Sequence, residues 1–109
     1  MTTLTTVPTS PRALDVSINE DSLTIFLEDG RVVSAPTTWY PRLAHARHTD
    51  LRKWELIGHG HGIHWPELDE DISVENLILG QPSTEGSKSF SRWMFWYSSK
   101  STEQDAANP

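Results

Sequence analysis

Apolar and polar residues alternate along the first half of the chain with the period of two that is typical of half-buried β-strands. Leu14, Val16 and Ile18 share one face of the first alternating run, and two further runs follow at residues 22–28 and 31–35. We expect each run to form a strand with one face on the core. The pattern therefore predicts three strands before Pro36.

The second and third runs are joined by Asp29-Gly30. An Asp-Gly pair between alternating apolar runs is the strongest short hairpin signal in a sequence, because the glycine adopts the positive φ that a tight turn requires. We expect Gly30 to close this hairpin. The first half of the chain should therefore be a three-stranded antiparallel meander.

The second half of the chain mixes helical and strand patterns. The predicted elements are a helix over residues 41–51, strands over 54–57 and 63–65, an acidic turn over 68–71, a helix over 73–79 and a last helix that begins at Ser87 or Ser89. Asp71 or Ser73 is the expected N-cap of the 73–79 helix, and Gly80 follows its end. The fold class is α+β, an antiparallel β-meander packed by two or three short helices in one domain.

The last helix carries more aromatic surface than one face can hold. Its apolar stripe is made by residues at the spacing i, i+3, i+4, i+7, namely Phe90, Trp93, Met94 and Tyr97. Phe95 and Trp96 lie off that stripe, and little chain remains to cover them. We expect these two rings to contact another molecule, either another small protein or a second copy of this chain; the alternative is that Trp96 packs over its own domain.

Length and composition restrict the architecture to one small domain. The chain has 109 residues and no cysteine, which excludes a disulfide scaffold and a thiolate metal site. Residues 1–11 and 98–109 are polar and rich in threonine, serine or proline, so we expect disordered tails there and the domain at 12–97.

The net charge is −6, which argues against direct binding to duplex nucleic acid and suits a basic partner. The first residues lack the features of a signal peptide, and no apolar run is long enough to cross a membrane. From the sequence we expect a cytoplasmic protein without a membrane partner.

The motifs and their order resemble a bacterial family, domain of unknown function 2442 (DUF2442). The resemblance rests on LEDG at residues 27–30, YPRL at 40–43, WEL at 54–56, GIHWP at 62–66 and LDEDISVENL at 68–77. It extends over roughly residues 13–97. The residues that carry it as a structural motif are Gly30, His64, Trp65, Pro66, Asp69, Asp71 and Ser73.

The resemblance implies a small α+β protein with a meander packed by helices. Members of this family are often neighbours of another small domain, in pairs that resemble toxin–antitoxin modules. The family has no accepted active site, so the resemblance supplies no catalytic residue. It favours a function in binding.

The glycine-rich segment at residues 58–64 raises a metal alternative. His59, His61 and His64 could supply imidazole ligands, with a carboxylate from the acidic turn that follows. On a regular strand, however, His64 would point away from the other two. The spacing matches no established ligand motif, so we assign no cofactor and no catalytic residue.

The leading hypothesis is therefore a non-enzymatic interaction module, an antitoxin-like or regulatory partner of another small protein. The expected contact residues are Tyr40, His59, His61, Trp93, Phe95 and Trp96. The alternatives are a small metal-dependent enzyme that uses the three histidines and an acidic inhibitor of a nucleic-acid-binding protein.

Overall fold

A computed structural model describes residues 10–107, with side chains described for residues 10–100. The strands are β1 (Ala13–Ile18), β2 (Ser22–Leu27), β3 (Val32–Pro36), β4 (Glu55–Ile57), β5 (Gly62–Trp65) and β6 (Glu70–Ser73). The helices are α1 (Pro41–Ala44), α2 (His48–Leu51), α3 (Val74–Leu79) and α4 (Ser87–Ala107). The predicted α+β class is confirmed.

The strands form two antiparallel sheets of three, in the orders β1-β2-β3 and β4-β5-β6. In the first sheet Ile25 pairs with Val16 on one side and Val33 on the other, so the predicted meander is confirmed. Gly30 closes the β2–β3 turn at φ +95°, where its amide donates to the carbonyl of Leu27. The apolar inner faces of both sheets contribute to one core.

A bulge in β1 changes which of its side chains are buried. The pairing with β2 shifts between Ala13 and Asp15, so Leu14 is left without a position in the regular ladder. Ala13 and Val16 are buried, whereas Leu14 is exposed. The prediction that Leu14 shares a buried face with Val16 is wrong, because one extra residue reverses the alternation of side chains.

The acidic turn predicted at residues 68–71 is confirmed for residues 68–69, whereas residues 70–71 belong to the strand that follows. Asp69 adopts a φ of +50° within the turn, and β6 then pairs with β5 from Glu70 to Ser73. Ile72 is the only apolar residue of β6 and is buried. A strand with a single apolar side chain shows too little alternation to be recognised from sequence.

The helix predicted over residues 41–51 is divided into α1 and α2. Arg47 lies between them in extended conformation, and its backbone amide donates to the hydroxyl of Tyr97 over 2.8 Å. A contact fifty residues distant along the chain thus replaces a local helical hydrogen bond. The interruption has no signal in the local sequence.

Helix α4 is held by two buried rings on its inner face. The indole of Trp93 donates to the carbonyl of Leu68 over 2.7 Å, and the hydroxyl of Tyr97 donates to buried Asp50 over 2.6 Å. The two rings stack with centroids 4.7 Å apart. In the core below, Trp65 is fully buried and its indole donates to the carbonyl of Leu51.

The described helix continues beyond the predicted domain end at residue 97. Its last residue is Ala107, and Lys100 still packs back on the domain by donating to the carbonyl of Glu67 over 2.9 Å. Residues 98–107 are therefore helical where the sequence predicted a disordered tail. Most of the predicted N-terminal tail, residues 1–9, lies outside the described residues, as do residues 108–109.

Among the described residues, no helix has the length and apolar character needed to cross a membrane.

Two buried tyrosines allow a matched test of how α4 is held. Replacing Tyr97 by Phe removes the hydroxyl that bonds to Asp50 and Arg47, so the free energy of unfolding should fall by about 1–3 kcal/mol. Tyr40 is equally buried, but its hydroxyl has no hydrogen-bond partner in the described residues. Tyr40→Phe should therefore leave stability unchanged or raise it. Urea unfolding measures both changes, and an equal loss in the two variants would contradict this role of Tyr97.

Candidate functional site

The glycine–histidine segment forms a compact turn between β4 and β5. Gly60 is buried at φ +88°, and a Cβ atom there would lie 2.5 Å from the carbonyl oxygen of Ala13. The turn is thus packed against β1 at a position that only glycine fits. His59 projects from it into solvent with a φ of +58°, whereas His61 is half-buried. The segment acts first as a structural contact between the two sheets.

The three histidines have different surroundings. His64 and Asp71 face each other across β5 and β6, and the His64 Nδ1–H donates to the Asp71 carboxylate. His61 instead lies near Glu28, whose pKa is held below its ordinary value mainly by hydrogen bonds from Arg12, with His61 making the smallest contribution. Within residues 10–100, no group of three or more histidine or acidic side chains could hold a metal ion. The metal alternative therefore has no ligand cluster in that part of the chain.

The N-cap of α3 is also settled by the structure. The Ser73 hydroxyl accepts from the amide of Asn76 over 3.2 Å, and Gly80 ends the helix at φ +75°. These two predictions are confirmed. Asp71 lies on β6, so the alternative that it caps α3 is wrong.

The outer face of α4 exposes the two aromatic residues that lie off the apolar stripe. Phe95 is 77% exposed and Trp96 is 42% exposed. Lys100 lies over the Trp96 ring with its Nζ 4.5 Å from the centroid. Two of the other expected contact residues, Tyr40 and Trp93, are only 4% exposed and belong to the core. Of the six, only Phe95, Trp96 and His59 are exposed.

Cations surround the exposed rings of α4. Lys88, Arg92, Trp96 and Lys100 follow one another at i, i+4 spacing, and residues 87–100 contain no acidic residue. Beside Trp96 lies a shallow cleft of about 380 Å³, where Arg42 and Arg92 form part of the wall. This face is basic and aromatic, although the chain as a whole is acidic.

A second, larger cleft lies between β6, α3 and the loop at residues 80–84. Its volume is about 530 Å³, and its walls include Tyr40, Glu70, Asp71, Ser73 and Asn76. The loop is held in place by backbone bonds, since the amide of Ser83 donates to Trp39 and that of Gln81 to Asn76. The cleft is therefore shaped before any ligand enters.

Two titrating groups of this cleft are strongly perturbed. Burial raises the pKa of Glu70 to about 7, against an ordinary value of 4.5, and the attraction of Arg42 offsets only part of that effect. Burial, with the nearby charge of Glu70, raises the pKa of Tyr40 to about 12. The Glu70 carboxylate is thus poorly compensated when ionised.

A salt bridge forms the border between the two clefts. Arg42 donates to the Glu85 carboxylate over 2.7 Å and to the carbonyl of Asp69 over 2.7 Å. Ser89 also donates to Glu85, and the Arg42 bond in particular holds the pKa of Glu85 below its usual range. These contacts fix the start of α4 against α1 and engage Arg42 away from Glu70.

Sequence reasoning missed Glu70 and the cations of α4. Glu70 becomes half-buried through the β5–β6 hairpin, which has no clear sequence signal. Lys88, Arg92 and Lys100 could have been noticed by counting charge segment by segment, because they stand together without an acidic residue between them. The net charge of the whole chain, which is −6, does not reveal this local cluster of cations.

Comparison with protein families finds one match in the region of the two sheets. The family described as "Protein of unknown function (DUF2442)" matches residues 13–83. The matched region includes both sheets, α1 to α3 and most of the larger cleft, and it ends before α4. The resemblance expected over residues 13–97 is therefore shown for the shorter range.

A solved structure has a similar fold. A protein of unknown function from Rhodospirillum rubrum ATCC 11170, determined by crystallography at 2.75 Å, is 29% identical in sequence, with a TM-score of 0.62. The similarity covers 70% of this chain and 94% of that one. No curated protein matches.

The raised pKa of Glu70 has a consequence for stability. The folded protein holds this proton more tightly than the unfolded chain, so the stabilisation is complete below pH about 4.5 and is lost as the pH rises through about 7. Glu70→Gln stays neutral, and it should become more stable than the wild type by on the order of 1–2 kcal/mol at pH 8, a value discounted for partial exposure. Urea unfolding between pH 4 and 8 measures this difference. The exposed Glu55→Gln is the matched control, and a difference that does not change with pH would contradict the assignment.

Proposed function

This chain belongs to the DUF2442 family of proteins of unknown function, and we propose that it is a non-enzymatic protein-interaction module. In this proposal it acts in the cytoplasm as an antitoxin-like or regulatory partner of another small protein. The observation that carries the proposal is the exposure of Phe95 and Trp96 on a helix whose opposite face is firmly held.

The position of these rings supports a role in binding. Trp93 and Tyr97 are hydrogen-bonded to the domain, so α4 cannot turn to bury Phe95 and Trp96 without breaking both contacts. Large aromatic side chains are enriched among the residues that contribute most to protein–protein affinity. A rigid helix that presents two of them loses little conformational entropy on binding.

The charges beside the rings favour an acidic partner. The net charge of −6 by itself suits a basic one, but screening at physiological ionic strength limits the effect of distant charges to about 8 Å. The cleft beside Trp96 contains Arg42, Arg92 and one aspartate, Asp69. Arg42 is already paired with Glu85, so Arg92 and the neighbouring Lys88 carry the positive charge offered to a partner there. We therefore propose that an acidic segment of the partner lies along Lys88 and Arg92 while its apolar residues cover the rings.

Two expected contact residues have a smaller part in this proposal. His59 is exposed and available, whereas His61 is half-buried in the turn that packs on β1. A second copy of the chain is a less suitable partner. In a symmetric dimer, the basic face of α4 on each copy would have to meet an acidic part of the other copy's surface at the same time. The oligomeric state of the isolated protein tests this alternative.

The aromatic pair supplies the direct test. The partner to use is the small protein encoded next to this chain in its host, co-expressed with it, because the family resemblance suggests such pairs. Trp96→Ala should weaken that complex by about 2 kcal/mol or more, measured by titration calorimetry, because it removes a central aromatic contact. The free energy of unfolding should fall by no more than about 1 kcal/mol, since the Trp96 ring is 42% exposed and its cation–π contact is with Lys100.

Matched controls separate the effects of shape and charge. Leu79→Ala removes an exposed apolar side chain from α3 and should leave binding unchanged. Arg92→Glu should weaken the complex, whereas Arg31→Glu, which makes the same change in charge at the exposed β2–β3 turn, should not. Binding that survives Trp96→Ala, or a strong loss of stability in that variant, would refute this interface. Competition by single-stranded nucleic acid for α4 would reassign the face to nucleic-acid binding.

A further inference from the structure

The larger cleft has a lining that suits one kind of ligand. Its described walls combine two carboxylates, Glu70 and Asp71, with hydroxyl and amide groups, and they contain no lysine, arginine or histidine. Glu70 has no ion pair within residues 10–100, since the bonds of nearby Arg42 go to Glu85 and to the carbonyl of Asp69. The half-buried carboxylate thus lacks a cation in contact with it.

A second observation at the same cleft points to a missing partner. Tyr40 forms part of the wall and is only 4% exposed. Its hydroxyl has no hydrogen-bond partner in the described structure. Buried polar groups are nearly always paired in folded proteins, because an unpaired one loses its bonds to water and gains none. The charge of Glu70 acts on this hydroxyl, which places the two groups in one neighbourhood.

We propose that this cleft binds a cationic nitrogen, the ammonium or guanidinium group of a ligand, with Glu70 as its counter-ion. The oxygens of Ser73 and Asn76 supply further acceptors for its N–H donors, and the Tyr40 hydroxyl, which is closed off from solvent in the free protein, joins them through a small rotation of its ring. Asp71 adds negative charge at the edge of the cleft. The proposal is independent of the interaction through α4, because none of these residues lies on that helix.

The size and charge of the cleft narrow the ligand class. A volume of about 530 Å³ admits a small amine or the side chain of a partner's lysine or arginine. The two carboxylates would repel a phosphate or another anion. A metal ion would need more ligands than the site offers, since no three histidine or acidic groups converge among residues 10–100.

The probe that tests the proposal is butylamine, titrated into the full-length protein and followed by ¹H–¹⁵N NMR. The amides of residues 70–73, 80, 81, 83 and 84 should shift and saturate, whereas butyrate, which has the same chain length and the opposite charge, should cause no such shift. Lysine amide acetylated at its α-nitrogen, which keeps the side-chain ammonium free, represents the lysine side chain of a partner protein. Tighter binding of the free amine indicates a small-molecule ligand, and tighter binding of the lysine derivative indicates a partner's side chain.

Three variants make the result specific. Glu70→Gln should weaken butylamine binding about tenfold because it removes the counter-ion, and Tyr40→Phe should weaken it about threefold without loss of stability. Asp71→Asn removes the other negative charge of the cleft and should also weaken butylamine binding. The exposed Glu55→Gln should bind as the wild type does. Equal binding of butyrate, shifts spread over the whole acidic surface, or unchanged affinity in Glu70→Gln would each overturn the proposal.

Discussion

Two polar contacts made by buried rings determine how the C-terminal helix lies on this domain. The Trp93 indole bonds to the carbonyl of Leu68, and the Tyr97 hydroxyl bonds to Asp50. Because successive residues of an α-helix are about 100° apart, burying these two rings turns Phe95 and Trp96 towards solvent. The same contacts extend to Arg47, whose amide bond to Tyr97 separates α1 from α2.

The elements predicted from sequence are those whose signals are local. The alternation in β1 to β3, the Asp-Gly turn at Gly30, the Ser73 cap and Gly80 at the end of α3 all depend on residues close together in the chain. The bulge that exposes Leu14 and the strand β6 depend on pairing with other strands. They could not be predicted because tertiary pairing outweighs local preference at those positions.

The candidate site residues show the same division between those with a local sequence signal and those that depend on the tertiary fold. Phe95 and Trp96 could be identified because helical spacing alone places them off the apolar stripe. Tyr40 and Trp93 were assigned to the surface on residue type, but the fold encloses them. The cleft at Glu70 combines residues up to forty-four positions apart, so only the three-dimensional arrangement reveals it. The outcome is two surfaces of opposite character, a basic aromatic helix face and an acidic polar cleft.

The central claim is that α4 keeps Trp93 on the domain and leaves Trp96 open for a partner. Its most direct test is ¹⁹F NMR of protein labelled with 5-fluorotryptophan, comparing signals in H₂O and D₂O. In the free protein the account predicts a large solvent isotope shift for Trp96 and almost none for Trp65 and Trp93, with the Trp96 shift lost in the complex. A Trp96 signal as insensitive to solvent as that of Trp65 in the free monomer would contradict the account.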